Sequence, residues 1–174
     1  KILAKKTLVC EGCAGSITQQ LYQQFPQLRP SSCSHGLGIK ELWQVSKAQT
    51  GTVVHTLGWP LKDCHGGGFI YHLNNNSISL GLITCLDYKN TYIDPFSSMQ
   101  QWKTHPSIAQ LLKGGERIGF GARVIDEGGY QGLPEMNFPG GLLVSVGSVN
   151  TLALKGIHIA MQQGILAAEN CIQQ

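Results

Sequence analysis

The chain has 174 residues, of which 42% are hydrophobic, which is enough apolar material for a packed core and too much for a disordered segment. Charged residues make up only 13%, about half of the usual share, and the formal net charge is +3. The lysines and arginines form no basic stripe, so nothing favours nucleic-acid binding, and no run of about 18 apolar residues predicts a membrane-spanning helix.

The first half of the chain predicts a strand, a turn and a helix, followed by a sheet. Residues 3–10 are a short apolar run typical of a strand, and Ser16 is predicted to cap a helix over residues 17–25. Runs with strand composition follow, separated by polar turns, at 38–45, 52–59, 69–73 and 78–85. They predict an antiparallel sheet of about four strands.

The second half alternates helices and strands. Proline opens two short predicted helices, over 95–103 and 106–113, before a predicted strand over 117–125. After a loop rich in glycine and proline come an apolar strand at 142–146 and a helix over 155–172. That helix has an apolar face of helical period: Ile157, Met161, Ile165, Ala168 and Ile172. The order predicts a mixed α+β and α/β chain, in which a sheet domain is inserted into a split α/β domain.

Three glycine-containing turns are candidates for close contact between backbone and a ligand. They are the turn over 11–16, the three glycines at 66–68 and the loop over 147–156 that precedes the last helix. Glycine lets backbone N–H groups approach a planar ligand, and the partial positive charge of a helix N-terminus suits a phosphate or a reduced flavin ring. An ordinary turn, a bulge and a surface helix start are the structural alternatives, and the residues alone leave them open.

Cysteine, histidine and acidic residues define no catalytic or metal site. Cys10 and Cys13 have the spacing of a redox pair or half of a zinc site, but nothing nearby completes such a site, so ordinary buried thiols are expected. The six histidines show no H-x-x-x-H pairing. Asp126 and Glu127 could supply a general base, although a solvated loop pair is the simpler interpretation. We therefore assign no catalytic side chain and no metal ligand.

Blocks of sequence spread over nearly the whole chain resemble the electron transfer flavoprotein–ubiquinone oxidoreductase family. Three of them are His-Thr-Leu-Gly-Trp-Pro-Leu at 55–61, Leu-Asp-Tyr-Lys-Asn at 86–90 and Phe-Pro-Gly-Gly-Leu-Leu at 138–143. The other blocks lie at 11–13, 36–43, 66–73, 81–82, 102–106, 121–123, 127–129 and 155–161.

The resemblance implies a fold, an activity and a division into domains. Members are monotopic membrane flavoproteins with a split FAD-binding domain of the two-dinucleotide type, a quinone-binding domain of antiparallel sheet and helices, and a domain that holds a 4Fe-4S cluster. They take electrons from electron transfer flavoprotein and pass them through the cluster and FAD to ubiquinone. By this resemblance, residues 1–35 and 117–174 belong to the FAD-binding domain and residues 36–116 to the ubiquinone-binding domain.

The resemblance also implies a cellular location and indicates that this chain is a fragment of a longer protein. The family lies on the matrix side of the mitochondrial inner membrane, or on the bacterial cytoplasmic membrane, and the segments that touch the membrane surface are expected outside this chain. The ligands of the 4Fe-4S cluster are expected outside it as well. No G-x-G-x-x-G follows the first strand, so the main pyrophosphate cradle is missing. The chain is predicted to be an interior fragment that does not turn over alone.

Two groups of binding residues follow from the resemblance. The quinone ring is expected to meet the backbone of Gly66 and Gly67, with His65 where the family has tyrosine. The flavin is expected to contact Gly12, Gly147, Asn150, Lys155, Gly156 and Ile157. The start of the last helix would lie near the N1–C2=O2 edge of the flavin, where its positive end would stabilise anionic reduced flavin.

Departures from the family pattern keep two alternatives open. The loop over 145–156 is shorter than in the family, and Ile157 stands where threonine is usual. A truncated, non-catalytic derivative of the family is the first alternative, and a related flavoprotein reductase is the second.

Overall fold

The structure, a computed structural model, describes residues 3–32, 34–150 and 155–173. It divides the chain into two compact units. The split unit comprises Lys1–His35 together with Val124–Gln174, and the inserted unit is Gly36–Arg123. The strand that begins at Glu116 continues within the sheet of the inserted unit.

The inserted unit is built on a five-stranded sheet. Its strands are β2 (His35–Gln44), β3 (Val53–Leu57), β4 (Gly66–His72), β5 (Ser77–Cys85) and β6 (Glu116–Asp126), in the order β3-β4-β5-β2-β6. The neighbours β3 and β4, β4 and β5, and β2 and β5 pair antiparallel. The sheet has one strand more than predicted, because β6 joins it beside β2 after two helices, and no local pattern announces such a long-range pairing.

A tight turn explains the central hairpin of this sheet. Asn75 and Asn76 both have positive φ angles, 58° and 52°, which asparagine tolerates better than most residues. The turn is closed by the N–H of Leu73, which donates to the carbonyl of Ser77 at 2.8 Å. The hairpin of β4 and β5 predicted from the sequence is thus confirmed.

Helix α2 (Pro95–Lys103) covers one face of the sheet, and α3 (Pro106–Leu112) follows it. Alternate residues of a strand point to the same face, and Ile78, Leu80 and Leu82 of β5 form the buried core with Met99 and Trp102 of α2. The predicted helix over 95–103 has these bounds in the structure.

The split unit is a small α/β layer structure. Its strands β1 (Thr7–Val9), β7 (Asn137–Phe138) and β8 (Gly141–Leu143) lie in the order β1-β8-β7, with β1 parallel to β8. Helices α1 (Ser16–Gln24) and α4 (Ile157–Ile172) supply the helical layers. Leu143 packs in one cluster with Tyr22 of α1, whereas Leu142 packs with Ala167 of α4.

The predicted last helix is confirmed as α4, but its apolar face does not lie in the core. Ile157 is 76% exposed and Ile172 83%, and Met161 and Ile165 are also exposed. The buried positions of α4 are Gln163 and Ala167, because the small Ala167 side chain lets the helix approach Leu142 and Val144. Helical period alone does not say which side of a helix meets a sheet. Within the described ranges, no helix is both long enough and apolar enough to cross a membrane.

A buried carboxylate ties three elements of the inserted unit together. Glu41 of β2 is 1% exposed, and its oxygens accept hydrogen bonds from Lys103 Nζ at 2.8 and 2.9 Å, Arg117 Nη1 at 3.1 Å and Trp43 Nε1 at 2.7 Å. Burial raises the pKa of Glu41, but the hydrogen bonds from Lys103, Trp43 and Arg117 outweigh it and hold the pKa below the ordinary 4.5.

We expect the two basic partners of Glu41 to contribute unequally to stability. Lys103→Met should lower the free energy of unfolding by about 3 kcal/mol, because it leaves a buried carboxylate short of its main partner. Arg117 is 41% exposed, so Arg117→Met should cost no more than about 1 kcal/mol. Urea unfolding followed by tryptophan fluorescence measures both, since Trp43, Trp59 and Trp102 all lie in the inserted unit. Equal losses would contradict the assignment.

Candidate functional site

The turn between β1 and α1 is held by Glu11. Its carboxylate accepts hydrogen bonds from the N–H groups of Ile17 at 3.3 Å and Thr18 at 2.8 Å, and from the Thr18 hydroxyl at 3.1 Å. The predicted cap, Ser16, is instead the first residue of the helix, so the cap prediction is wrong. The backbone hydrogen bond from Thr18 is the main cause of the lowered pKa of Glu11. Gly12 (φ +69°) faces open space, with nothing within 4 Å of an added Cβ.

The loop before α4 brings several of the predicted flavin residues together. Gly147 and Asn150 line a cavity of about 300 Å³, together with Gly129, Tyr130, Leu133, Val149 and Ile159. Asn150 and Lys155 form a backbone bridge, with N–H to O distances of 2.8 and 3.2 Å. Residues 151–154, which fall within the predicted loop, lie outside the described residues. Gly12 is not among the residues that line this cavity.

The N-terminus of α4 has no side-chain cap. Gly156 is the N-cap and has no side chain that could accept a hydrogen bond from the first N–H groups of the helix. An atom added to Gly156 as Cβ would lie 3.1 Å from the carbonyl oxygen of Ser148, so this residue packs directly against the loop. The helix is 16 residues long, and its N-terminus carries partial positive charge.

The structure separates the two glycines predicted to meet the quinone. Gly67 is paired on both sides, with Leu57 of β3 and Ile83 of β5. Gly66 pairs only with Thr84, because the β3–β4 ladder ends at Gly67. Gly66 also lines a cavity of about 650 Å³, whereas Gly67 is not among the residues lining it. Only Gly66 therefore presents backbone at the end of the sheet.

Packing alone accounts for Gly67 and Gly68 of this strand. A Cβ on Gly67 would lie 2.6 Å from the carbonyl oxygen of Thr56. A Cβ on Gly68 would overlap the ring of Trp102, whose Nε1 donates to Thr56 Oγ1 at 3.0 Å. A glycine here is thus required by the sheet and by the tryptophan, whatever it also does for a ligand.

The cavity beside Gly66 is lined by polar and charged residues from two loops. One loop precedes β4 and the other follows β5, and antiparallel pairing brings their ends together. The charged and titratable residues of the lining are Lys62, Asp63, Cys64, His65, Asp87, Tyr88 and Lys89. Burial, with smaller contributions from Asp87 and Asp63, raises the pKa of the Cys64 thiol. The block at 86–90 carries no local signal of a site, since only the hairpin register places it beside Gly66.

The cysteines of the described part of the chain are free thiols. Cys10 is exposed, so the expectation of a buried thiol is wrong there, whereas Cys13 is half-buried and donates from Sγ to the carbonyl of Val124 at 3.1 Å. Over the described residues, no three His, Cys, Asp or Glu side chains form a group able to hold a metal ion.

Solved structures share the fold of this chain, and one of them is a flavin-dependent enzyme. A triple mutant of a flavin-dependent brominase matches with a TM-score of 0.67 at 16% identity, over 97% of this chain and 43% of that one. A geranylgeranyl bacteriochlorophyll reductase-like protein from Thermoplasma acidophilum matches with a TM-score of 0.68 at 14% identity, over 95% of this chain and 40% of that one. Identities this low show the fold alone.

Sequence comparison identifies the family of this chain. The family model described as ETF-QO, ubiquinone-binding, matches residues 35–125. The mitochondrial electron transfer flavoprotein-ubiquinone oxidoreductase of Homo sapiens is 48% identical over 98% of this chain and 29% of that protein, and that of Caenorhabditis elegans is 44% identical over 98% and 30%. The chain belongs to the electron transfer flavoprotein-ubiquinone oxidoreductase family, as predicted, and spans about three tenths of the length of these relatives.

The Glu11 contacts predict an acid-dependent helix start. Its carboxyl should titrate with a midpoint below 4.5, because the bound N–H groups favour the ionised form. A lowered folded pKa means that the stabilisation is present at neutral pH and is lost as the pH falls through that pKa. The carboxyl chemical shift of Glu11 measures the midpoint by NMR. In Thr18→Val the midpoint should rise but stay below 4.5, since the main donor, the Thr18 N–H, remains; an unchanged midpoint would argue against the hydroxyl contact.

The packing of Trp102 on Gly68 predicts that any residue larger than glycine at position 68 is destabilising. Gly68→Ala should lower the free energy of unfolding by about 2 kcal/mol and change the tryptophan emission, because the added methyl group displaces the indole ring. Gly121→Ala is the matched control, since an added Cβ there meets nothing within 4 Å. It should leave the free energy of unfolding within about 0.5 kcal/mol. If both variants were equally stable, the close packing at Gly68 would be disproved.

Proposed function

We propose that this chain is the central part of an electron transfer flavoprotein–ubiquinone oxidoreductase, which oxidises reduced electron transfer flavoprotein and reduces ubiquinone. One observation carries the proposal: the ubiquinone-binding family model covers 35–125, which coincides with the inserted unit, Gly36–Arg123. A cavity of about 650 Å³ lies in that unit and is lined by Gly66, one of the two glycines predicted to meet the quinone.

In this proposal the quinone ring lies at the cavity beside Gly66. Gly66 offers backbone beyond the last pair of the β3–β4 ladder, and Gly67 holds it in place through pairs on both sides. His65 adjoins Gly66, and its carbonyl accepts the N–H of Cys85 at 2.9 Å, which fixes the backbone at the cavity wall. Ubiquinone reduction takes up two electrons and two protons, and the protein's part is to position the ring and admit water at a polar mouth.

We place the flavin of the whole protein at the split unit. The residues fit part of such a group: Gly147 and Asn150 line a cavity, Gly156 and Ile157 begin α4, and Lys155 closes the loop through Asn150. Gly12 would meet the cofactor at the open turn after β1. FAD, when bound, supplies the redox chemistry. The positive end of α4 would orient the ring edge and favour its negative charge.

The remaining parts of the proposed machinery are assigned outside this chain. The described residues do not fit a 4Fe-4S cluster, since their His, Cys, Asp and Glu side chains form no metal-holding group. We therefore assign the cluster and the membrane contact to other parts of the whole protein. The mitochondrial names of the human and nematode relatives support a mitochondrial location. The matrix side of the inner membrane is proposed from the family resemblance alone.

The quinone assignment predicts a defined effect of filling the cavity. In the complete natural polypeptide that contains these residues, His65→Trp should raise the KM for a ubiquinone analogue about tenfold, because the indole occupies space beside Gly66. Flavin content should not change, since His65 lies in the other unit from the proposed flavin site. Steady-state quinone reduction, with reduced electron transfer flavoprotein as donor, gives the KM.

The control for this experiment is His55→Trp. His55 is an exposed histidine of the same sheet that does not line the cavity, so its variant should keep the wild-type KM. A normal KM in His65→Trp would contradict the assignment of the quinone to this cavity. Gly67→Val is a poor test, because its side chain would collide with Thr56 and disturb the sheet itself.

A further inference from the structure

Asp126 is the last residue of β6, and its two carboxylate oxygens contact two different segments of the split unit. Oδ2 accepts a hydrogen bond from the backbone N–H of Gly147 at 3.1 Å, and Oδ1 lies 3.4 Å from Nε2 of His35. The Asp126 side chain is only 17% exposed and that of His35 is 35% exposed. The expectation of a solvated acidic pair at 126–127 is therefore wrong for Asp126.

The backbone that carries Asp126 is fixed on both sides. The carbonyl of Val124 accepts the thiol of Cys13 at 3.1 Å, and the N–H of Glu127 donates to the carbonyl of Ser34 at 2.7 Å. A carboxylate on a strand end held in this way has a defined position. It can therefore impose that position on a loop that binds to it.

Gly147 needs such a constraint. Its φ of +63° is a conformation that side chains other than glycine rarely adopt, and a Cβ there would lie 2.6 Å from the carbonyl oxygen of Gly132. A backbone N–H bonded to a carboxylate makes a charge-assisted hydrogen bond, which is stronger than a neutral one. Gly147 then leads directly to Val149 and Asn150, which line the cavity assigned to the flavin.

We propose that Asp126 is a positioning residue for the loop that begins at Gly147 and leads to Asn150. It acts by holding the Gly147 N–H through Oδ2, while Nε2 of His35 lies 3.4 Å from Oδ1. The inference rests on the proposed flavin site. Asp126 belongs to β6, the strand that passes from the inserted unit into the split unit after Arg123. The inference therefore adds a residue of this strand to the proposed flavin site. His35, the last residue before the other crossing, takes part in the same cluster.

The test compares three variants of Asp126 in the complete natural polypeptide that contains these residues. Asp126→Ala and Asp126→Ser both lack an acceptor that reaches Gly147, and each should raise the dissociation constant for FAD about tenfold or more. Asp126→Asn keeps an amide oxygen at the same reach and should stay within about threefold of wild type. His35→Ala should have a smaller effect than Asp126→Ala, because its contact is longer and more exposed.

A second measurement does not depend on the cofactor. Amide hydrogen exchange of a peptide covering 145–150 in the flavin-free protein should be about tenfold faster in Asp126→Ala and Asp126→Ser than in wild type, and near wild type in Asp126→Asn. Glu135→Leu, which removes an exposed carboxylate of the same unit, is the control and should change neither quantity. If the alanine variant does not fold, the serine variant carries the comparison.

The outcomes separate this inference from the proposed function. A wild-type protein without FAD would overturn the proposed function, whatever the Asp126 variants do. A wild-type protein that binds FAD, with Asp126→Ala and Asp126→Ser equal to it in affinity and exchange, would overturn the role of Asp126 and leave the function standing. Equal damage in Asp126→Asn and Asp126→Ala would also overturn it, because the hydrogen bond to Gly147 would then not be the cause.

Discussion

The buried carboxylate of Glu41 is the constraint on which the inserted unit depends. A carboxylate that is 1% exposed is tolerated only when cations and donors surround it, and the main cation, Lys103, is the last residue of α2. Its neighbour Trp102 packs its ring on Gly68, the third residue of β4. The ion pair on β2 thus fixes a helix, the helix fixes a tryptophan, and the tryptophan leaves room only for glycine in the strand that borders the cavity.

This chain of contacts changes how the glycines at 66–68 are understood. Sequence similarity suggests that they are present for a quinone, whereas the contacts of Gly67 and Gly68 show that the sheet and Trp102 require them in any case. Packing requires glycine at position 66 as well, since its φ is +151° and a Cβ there would overlap the carbonyl oxygen of Ile83. Gly66 differs in that it lies past the end of one ladder and borders a cavity of about 650 Å³. A binding role is best supported where the backbone is both exposed to a cavity and relieved of one pairing partner, and only Gly66 meets both conditions.

Local patterns predicted what local forces decide. The asparagine turn at 74–76 specified the hairpin, and proline after Asp94 specified the start of α2, whose first N–H groups bond to that aspartate. Three features escaped prediction because distant residues decide them. Strand β6 pairs beside β2. Helix α4 packs against the sheet through Ala167 and not through its bulky residues. The carboxylate of Glu11, in the preceding turn, caps the first N–H groups of α1.

The candidate sites divide along the same line. Gly147 and Asn150 were found through family resemblance, and the structure brings them to one cavity, but Asp126 had no local signal because its importance lies in a contact with a residue 21 positions away. The two units also differ in how much of their proposed site they contain. The cavity beside Gly66 is built from the inserted unit alone. In the split unit, Ile157 and other large apolar residues of α4 are exposed, and the chain spans about three tenths of the length of its relatives. Under the proposed function, the residues around the quinone therefore come from the inserted unit, whereas the cavity at Gly147 and Asn150 belongs to the split unit.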